Sequence, residues 1–490
     1  MHADRVPTGI PGLDEILGGG FQEGSSYLLV GGPGTGKTIL SLQFLAACSG
    51  RDERCLYLTF GESEPALRRL GSTLGFDLAK VIIMDLGSEL TAERLGDEYT
   101  VFAPAEVEQV PVWQKLRNVI SSVKPERLVL DSATFLRYLS TDEYQYRLQI
   151  QALVDQLSKL PCVSLLLFEP LILEHDNALA LAVDGVIKLQ YELSPDQIAE
   201  VRTLEVVKVR RSAFMPERHP FRITPQGITV WPHHIEKLVA PSAESRLLSS
   251  GIPGLDRLLK GGIPATGSTL VSGPAGVGKT TLALQYIVAG AAQGYRGAVY
   301  TFEEGLTSML TRCEQLSIPL GDYVKSEAVV IRQLSPLEVY PEEFLALLRA
   351  DVKEKGIRLF MLDSLRGYSL AMRSFGNVTA HMQNIINLVR SEQAHLFIIN
   401  EQERISGDLQ VTEFGVSYVA DNIVLLRFAE YNGQILRVIS CLKKRTGDYE
   451  PEICEFRFTP KGLVVGKRLS GLAGLLQGSP RGELVKEERP

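Results

Sequence analysis

Lys37 and Lys279 each close a glycine-rich segment of one pattern. The first reads Gly31-Gly32-Pro33-Gly34-Thr35-Gly36-Lys37-Thr38, the second Gly273-Pro274-Ala275-Gly276-Val277-Gly278-Lys279-Thr280. Glycines in such a loop let successive backbone N–H groups converge on phosphate oxygens, the lysine reaches the β and γ phosphates, and the threonine hydroxyl ligates Mg²⁺. Residues 32–38 and 273–280 are therefore expected to bind a nucleotide, with ATP and Mg²⁺ as cofactors and Thr38 and Thr280 on the metal.

Other residues recur at matched places. Asp131 and Asp363 each end an apolar run and precede serine, where a P-loop fold needs a second carboxylate for Mg²⁺. Thr301-Phe302-Glu303-Glu304 follows the run after the second loop and puts two carboxylates at the end of a predicted strand. They would orient water, take a hydroxyl proton or reach the metal. The first-half counterpart is Thr59-Phe60-Gly61-Glu62, with glycine for one glutamate. Lys208-Val209-Arg210 and Lys443-Lys444-Arg445 end matched strands, and residues two apart on a strand share a face. Recurrence favours a phosphate contact for Lys208, Arg210, Lys443 and Arg445.

The elements that must position these groups alternate. Apolar runs are predicted as strands at 27–30, 56–60, 128–130, 163–168, 185–189 and 203–209, then at 269–272, 298–302, 360–362, 396–399, 423–426 and 437–442, with helical stretches between them. That alternation implies a mostly parallel sheet covered by helices on both faces. Gly9-Ile10-Pro11-Gly12-Leu13-Asp14 recurs as Gly251-Ile252-Pro253-Gly254-Leu255-Asp256 at the same offset of 242 as the loops, so a whole domain is duplicated. Ten more residues separate loop from aspartate in the first copy, and 92–108 is their expected place. The expected divisions are a first domain at 1–238, a linker at 239–248, a second domain at 249–466 and a C-terminal segment and tail at 467–490. The stretch after Gly462, rich in glycine, leucine and charge, is expected to hold little order.

Composition narrows the partners. The 490 residues are 45% hydrophobic and 22% charged with a net charge of −7, ordinary for a globular protein and without a global basic field for nucleic acid or anionic membrane. The six cysteines include no Cys-x-x-Cys pair, so free thiols in a reducing cytoplasm are expected. No apolar run approaches 18 residues and no signal-peptide pattern is present, giving a cytoplasmic protein without a membrane partner.

The paired Gly-Ile-Pro-Gly-Leu-Asp and P-loop segments, the Thr-Phe-x-Glu strand ends, both Lys-x-Arg pairs and Gly478-Ser479-Pro480-Arg481 together resemble the KaiC family. These are the tandem RecA-fold ATPases of the cyanobacterial circadian clock and their wider relatives. The resemblance covers nearly the whole chain and implies two tandem RecA-like P-loop NTPase domains in a hexameric double ring. ATP would lie between neighbouring subunits, and Lys208, Arg210, Lys443 and Arg445 would reach the adjacent chain's nucleotide. It further implies an ATPase in the first ring and, in the second, autophosphorylation at Ser417, paired here with Tyr418 where the family carries threonine. Thr412 is the lesser acceptor, Glu303 the base and Glu304 its electrostatic support. Gly61 stands where the family's hydrolytic carboxylate is expected, so Glu62 would work alone and slowly. The segment 468–481 resembles the one that regulates access to the phosphorylation site. A KaiB-like protein or a signalling histidine kinase is the expected partner class, in timing or stress signalling, while the short tail argues against a KaiA-like activator. Two other readings are a DNA-dependent RecA-type motor or recombinase, opposed by the acidic balance, and a nucleotide-gated scaffold with little turnover.

Overall fold

The computed structural model describes residues 5–49, 52–87, 109–138, 140, 142–169, 177–193, 200–239, 246–336, 339–372, 375, 377–402, 415–431, 433–470, 472–474 and 481–482. The chain divides between His234 and Ile235 into two compact units.

Among the described residues, the first unit builds a nine-stranded sheet. Its strands are β1 (Ser26–Gly31), β2 (Cys55–Thr59), β3 (Val81–Asp85), β4 (Arg127–Asp131), β5 (Val163–Phe168), β6 (Gly185–Leu193), β7 (Glu200–Val209), β8 (Arg218–Thr224) and β9 (Gly227–Val230). They lie in the order β3-β2-β4-β5-β1-β6-β7-β8-β9. Strands from β3 through β6 pair in parallel, and β6 through β9 form antiparallel ribbons. The second unit repeats the plan with β10 (Gly267–Gly273), β11 (Arg296–Thr301), β12 (Val329–Gln333), β13 (Ile357–Asp363), β14 (His395–Glu401), β15 (Asn422–Tyr431), β16 (Gln434–Lys444), β17 (Ile453–Thr459) and β18 (Gly462–Arg468). Its order, β12-β11-β13-β14-β10-β15-β16-β17-β18, matches the first strand for strand.

The pleat explains why the central strands read as continuous apolar runs. Val271, Val299, Met361 and Phe397 pack on one face of the second sheet with the helix after its P-loop. Leu270, Ala298, Phe360 and Leu396, one residue away, pack on the other with Phe344 and Ile385. Both faces are covered, so alternation in polarity disappears. The repeated Gly-Ile-Pro-Gly-Leu-Asp is a clasp at the sheet edge. Asp14 accepts the Thr8 N–H and Asp256 the Ser250 N–H, both at 2.8 Å. A Cβ on Gly12 or Gly254 would collide with the carbonyl of Val230 or Val465.

Three expectations change. The stretch from Gly462 opens as strand β18, paired with β17, because Leu463 and Val465 alternate into the core while Gly462 turns the hairpin at φ 96°. Cys48 and Cys55 are not isolated thiols: the end of the P-loop helix brings one sulfur against the other at the start of β2, whereas Cys162, Cys313, Cys441 and Cys454 are free and buried. Val81–Asp85 and Val329–Gln333, not among the expected strands, form the parallel edge of each sheet. The expected insertion at 92–108 lies outside the described residues.

His395 opens β14 fully buried, its Nε2 2.9 Å from the Thr269 hydroxyl, where Val163 opens the first unit's strand. Burial pushes its pKa down to about 4, against the opposing pull of Asp421. Between pH 6.5 and 4 the unfolded chain takes a proton that the folded chain refuses, so stability falls as pH falls through that window, by at most about 3 kcal/mol. Urea unfolding midpoints measured from pH 7 to 4 are expected to drop less steeply in His395→Gln; parallel slopes would refute this.

Candidate nucleotide sites

Each P-loop joins the C-terminal end of the central strand to a helix, α1 (Lys37–Ala46) after β1 or α5 (Lys279–Ala292) after β10. Gly36 and Gly278 take φ 99° and 117° just before those helices. A Cβ would be 2.9 Å from the Ile223 side chain at Gly36 and would collide with the Phe458 ring at Gly278, so both geometry and space require glycine.

The first loop opens on a cleft of about 490 Å³ that includes Gly32 to Ile39, Thr59 to Glu62, Asp131, Ser132 and Glu169. Lys37 donates to the carbonyls of Gly31 at 2.6 Å and Gly32 at 3.0 Å. Asp131 receives the Tyr57 hydroxyl at 2.6 Å and the Thr38 hydroxyl at 3.4 Å. Burial raises the Asp131 pKa despite the lowering by Tyr57 and Lys37, and burial lowers that of Lys37 against the pull of Glu169 and Asp131. Burial and then the Asp131 charge raise the pKa of Glu62.

The second cleft, about 430 Å³, is lined by Ala275, Gly276, Gly278 to Thr281, Glu303, Glu304, Arg312, Asp363, Glu401 and Phe458 among others. Lys279 donates to the Pro274 carbonyl at 2.8 Å and lies 4.0 Å from Glu401. Burial raises Asp363 to about 6, helped by the charges of Glu303 and Glu304 and opposed by a hydrogen bond from Thr280. Asp131 and Asp363 share one backbone arrangement: each carbonyl accepts the N–H of the facing phenylalanine, Phe60 or Phe302, at 2.8 Å, and each is followed by a cis peptide to serine. Ser364 donates to Glu303 at 2.7 Å. Glu304 is held from the next helix, α6 (Leu306–Gln315), by Arg312 and Ser308.

Lys208, Arg210, Lys443 and Arg445 line neither cleft. Lys208 donates to the carbonyls of Ala180 and Val183 at 2.8 and 2.9 Å, and Arg210 to that of Leu181 at 2.5 Å. Lys443 donates to the carbonyls of Ser417, Tyr418 and Ala420 at 3.1, 3.2 and 2.7 Å, and Arg445 to that of Tyr418 at 2.5 Å. The two cradles therefore equate Ala180-Leu181 with Ser417-Tyr418. Ser417 is half-buried, and Tyr418 is 64% exposed. Thr412 and the Gly478–Pro480 stretch lie outside the described residues.

Glu169, Glu401 and Arg312 were not singled out from the sequence. Glu169 follows the last residue of β5 and Glu401 is the last residue of β14, each beside the P-loop strand and at the same 232-residue offset as Asp131 and Asp363, a recurrence that could have found them. Arg312 is eight residues from Glu304 on a separate helix, and no spacing rule joins them.

Two domains, each a mostly parallel sheet with a P-loop cleft built from lysine, hydroxyl and aspartate, define a tandem P-loop nucleotide-binding protein. The KaiC ATPase family model matches residues 6–235 and 248–470, and the chain belongs to that family. It is 27% identical over 492 residues to the circadian clock oscillator protein KaiC of Prochlorococcus marinus, covering 98% of this chain and 96% of that one. It is 26% identical to the KaiC of Picosynechococcus sp. and 25% to that of Thermosynechococcus vestitus, each over 99% of this chain, with 94% and 93% of those proteins covered. The tandem domains are thus nucleotide-binding ATPase domains with a RecA-like fold. No helix among the described residues is long and apolar enough to cross a membrane.

Proposed function

We propose that the chain is a Mg²⁺-dependent ATPase that assembles as a hexameric double ring and phosphorylates itself at Ser417. The observation that carries this reading is the pair of cation cradles. Lysine and arginine hold the same backbone turn in both domains, but the first presents Ala180 and Leu181 where the second presents the hydroxyls of Ser417 and Tyr418. Ser417 does not line the cleft of its own domain, which supports transfer from a nucleotide held by a neighbouring copy, the arrangement the family resemblance implies, with Lys443 and Arg445 beside it. Lys208 and Arg210 do the same for the first ring, which ties nucleotide to assembly by mass action.

Thr38 with Asp131 and Thr280 with Asp363 offer a hydroxyl and a carboxylate side by side at each loop, the donor set for a Mg²⁺ completed by phosphate oxygens and water. Among the described residues no cluster of His, Cys, Asp and Glu would hold a metal by itself. When bound, Mg²⁺ neutralises charge on the phosphates. Lys279 holds the γ-phosphate, Glu303 takes the Ser417 proton, the serine oxygen forms the new P–O bond and ADP leaves. With water in place of serine the same arrangement hydrolyses ATP. We further propose a role in timing or stress signalling, with a KaiB-like protein or a signalling histidine kinase as partner, on the strength of the family resemblance alone. Phosphopeptide mapping after incubation with Mg-ATP is expected to find label on Ser417 and to lose it in Ser417→Ala; label absent from 412–418 in a chain with nucleotide bound would refute the kinase reading.

A further inference from the structure

We infer that Arg312 selects the working carboxylate of the second cleft by pinning Glu304 and leaving Glu303 for chemistry, and that its absence from the first domain passes that task to Glu62. The inference rests on the proposed activity of these clefts.

The Glu304 carboxylate is occupied on both oxygens. Arg312 Nη1 donates to Oε1 at 2.9 Å, the Ser308 hydroxyl donates to the same oxygen at 2.7 Å, and Arg312 Nη2 lies 2.9 Å from Oε2 as an ion-pair contact without a hydrogen bond. Its backbone is held as well: Thr301 Oγ1 donates to the Glu304 carbonyl at 2.9 Å and accepts its N–H at 3.1 Å. A carboxylate bound this way cannot turn to a water or hydroxyl without breaking charge-assisted contacts. Glu303, one residue earlier, accepts from Ser364 at 2.7 Å, and its charge is felt by Lys279 and Asp363, the two groups nearest the phosphates.

The first domain keeps the glutamate and the threonine that holds its N–H, Glu62 on Thr59 at 3.0 Å, but lacks both clamping side chains. On the matching helix α2 (Glu64–Thr73), Leu70 stands for Arg312 and Ala66 for Ser308, and the residue matching Glu303 is Gly61. Glu62 has no pin: among the described residues no hydrogen bond reaches its carboxylate, which lies close enough to Asp131 to feel its charge. Where the clamp is present the preceding residue is glutamate; where it is missing the preceding residue is glycine. At this strand end each cleft therefore keeps one glutamate without an arginine partner, at a different sequence position.

The test measures kcat and KM for Mg-ATP in the full chain, with a fluorescent ATP analogue reporting nucleotide binding. Glu62→Gln alone is expected to remove the first domain's share of turnover. Unchanged turnover would overturn that half of the inference. In this background Glu303→Gln is expected to lower kcat ~100-fold or more, the usual cost of a lost general base. Adding Arg312→Leu frees Glu304 and is expected to return about tenfold of the loss, and adding Glu304→Gln removes the gain again. Arg312→Lys keeps the pin and gives no gain; Arg312→Gln replaces Arg312→Leu if the latter does not fold. A raised KM with no recovery of kcat would show that Arg312 serves the nucleotide directly and would overturn the inference alone. If the Glu62→Gln chain binds the analogue but neither turns over ATP nor takes up phosphate, the activity of the second cleft falls with it.

Discussion

Lys279→Ala is expected to abolish nucleotide binding at the second cleft and, with it, phosphate uptake. The lysine side chain is 6% exposed and faces Glu401, with Asp363 and Glu303 also close enough to raise its pKa against the lowering by burial. Without the ammonium, an incoming triphosphate meets four carboxylates, Glu303, Glu304, Asp363 and Glu401, with Arg312 the one cation left among the cleft's lining residues. Removing one partner from a buried charged network costs on the order of 3–5 kcal/mol, or roughly 100- to 1000-fold or more in affinity. Titration with a fluorescent ATP analogue should resolve two sites in the parent chain and one in the variant. Two sites of unchanged affinity would refute the assignment of Lys279.

Lys443→Ala with Arg445→Ala is expected to prevent both ring assembly and labelling of Ser417. The two side chains supply four hydrogen bonds to the carbonyls of Ser417, Tyr418 and Ala420, so the pair sets the path of the acceptor turn as well as the charge beside it. Light scattering with Mg-ATP should give the mass of a hexamer for the parent and of the 54.0 kDa chain for the variant, and intact mass should show no added phosphate. A fully labelled hexamer would remove these cations from the mechanism. Partial labelling at one-tenth of the parental rate or more would leave them with a structural role only.

Much of the architecture was legible because local signals carried it. The glycine loops, the aspartates that end apolar runs and the duplicated clasp are contiguous stretches, and β1, β5 and β10 are buried at every position and carry no charged residue. The edge strands were harder to read. Val329–Gln333 has one fully buried residue, and Gly462–Arg468 alternates buried and exposed positions amid glycine and lysine, a pattern that also suits a loose tail. At the sites, phosphate-binding residues could be read because function demands fixed spacing. The clamp on Glu304 could not, because it is a tertiary contact between a strand end and the face of a helix. The sequence did register that Gly61 replaces a glutamate, and read the first cleft as the weaker one. The unpinned Glu62 beside Asp131 gives that cleft a carboxylate of its own.

The cradle beneath Ser417 holds residues 417–420 through main-chain oxygens. Every contact from Lys443 and Arg445 to residues 417–420 ends on a carbonyl, and so does every contact from Lys208 and Arg210 to residues 180–183. Such a support is indifferent to side-chain identity. A duplicated gene could acquire or lose a modification site there by changing one codon while the ring-forming cations and the turn they hold stay as they were. The same indifference makes position 180 a natural place to install a hydroxyl by design, since the backbone that would carry it is already in position.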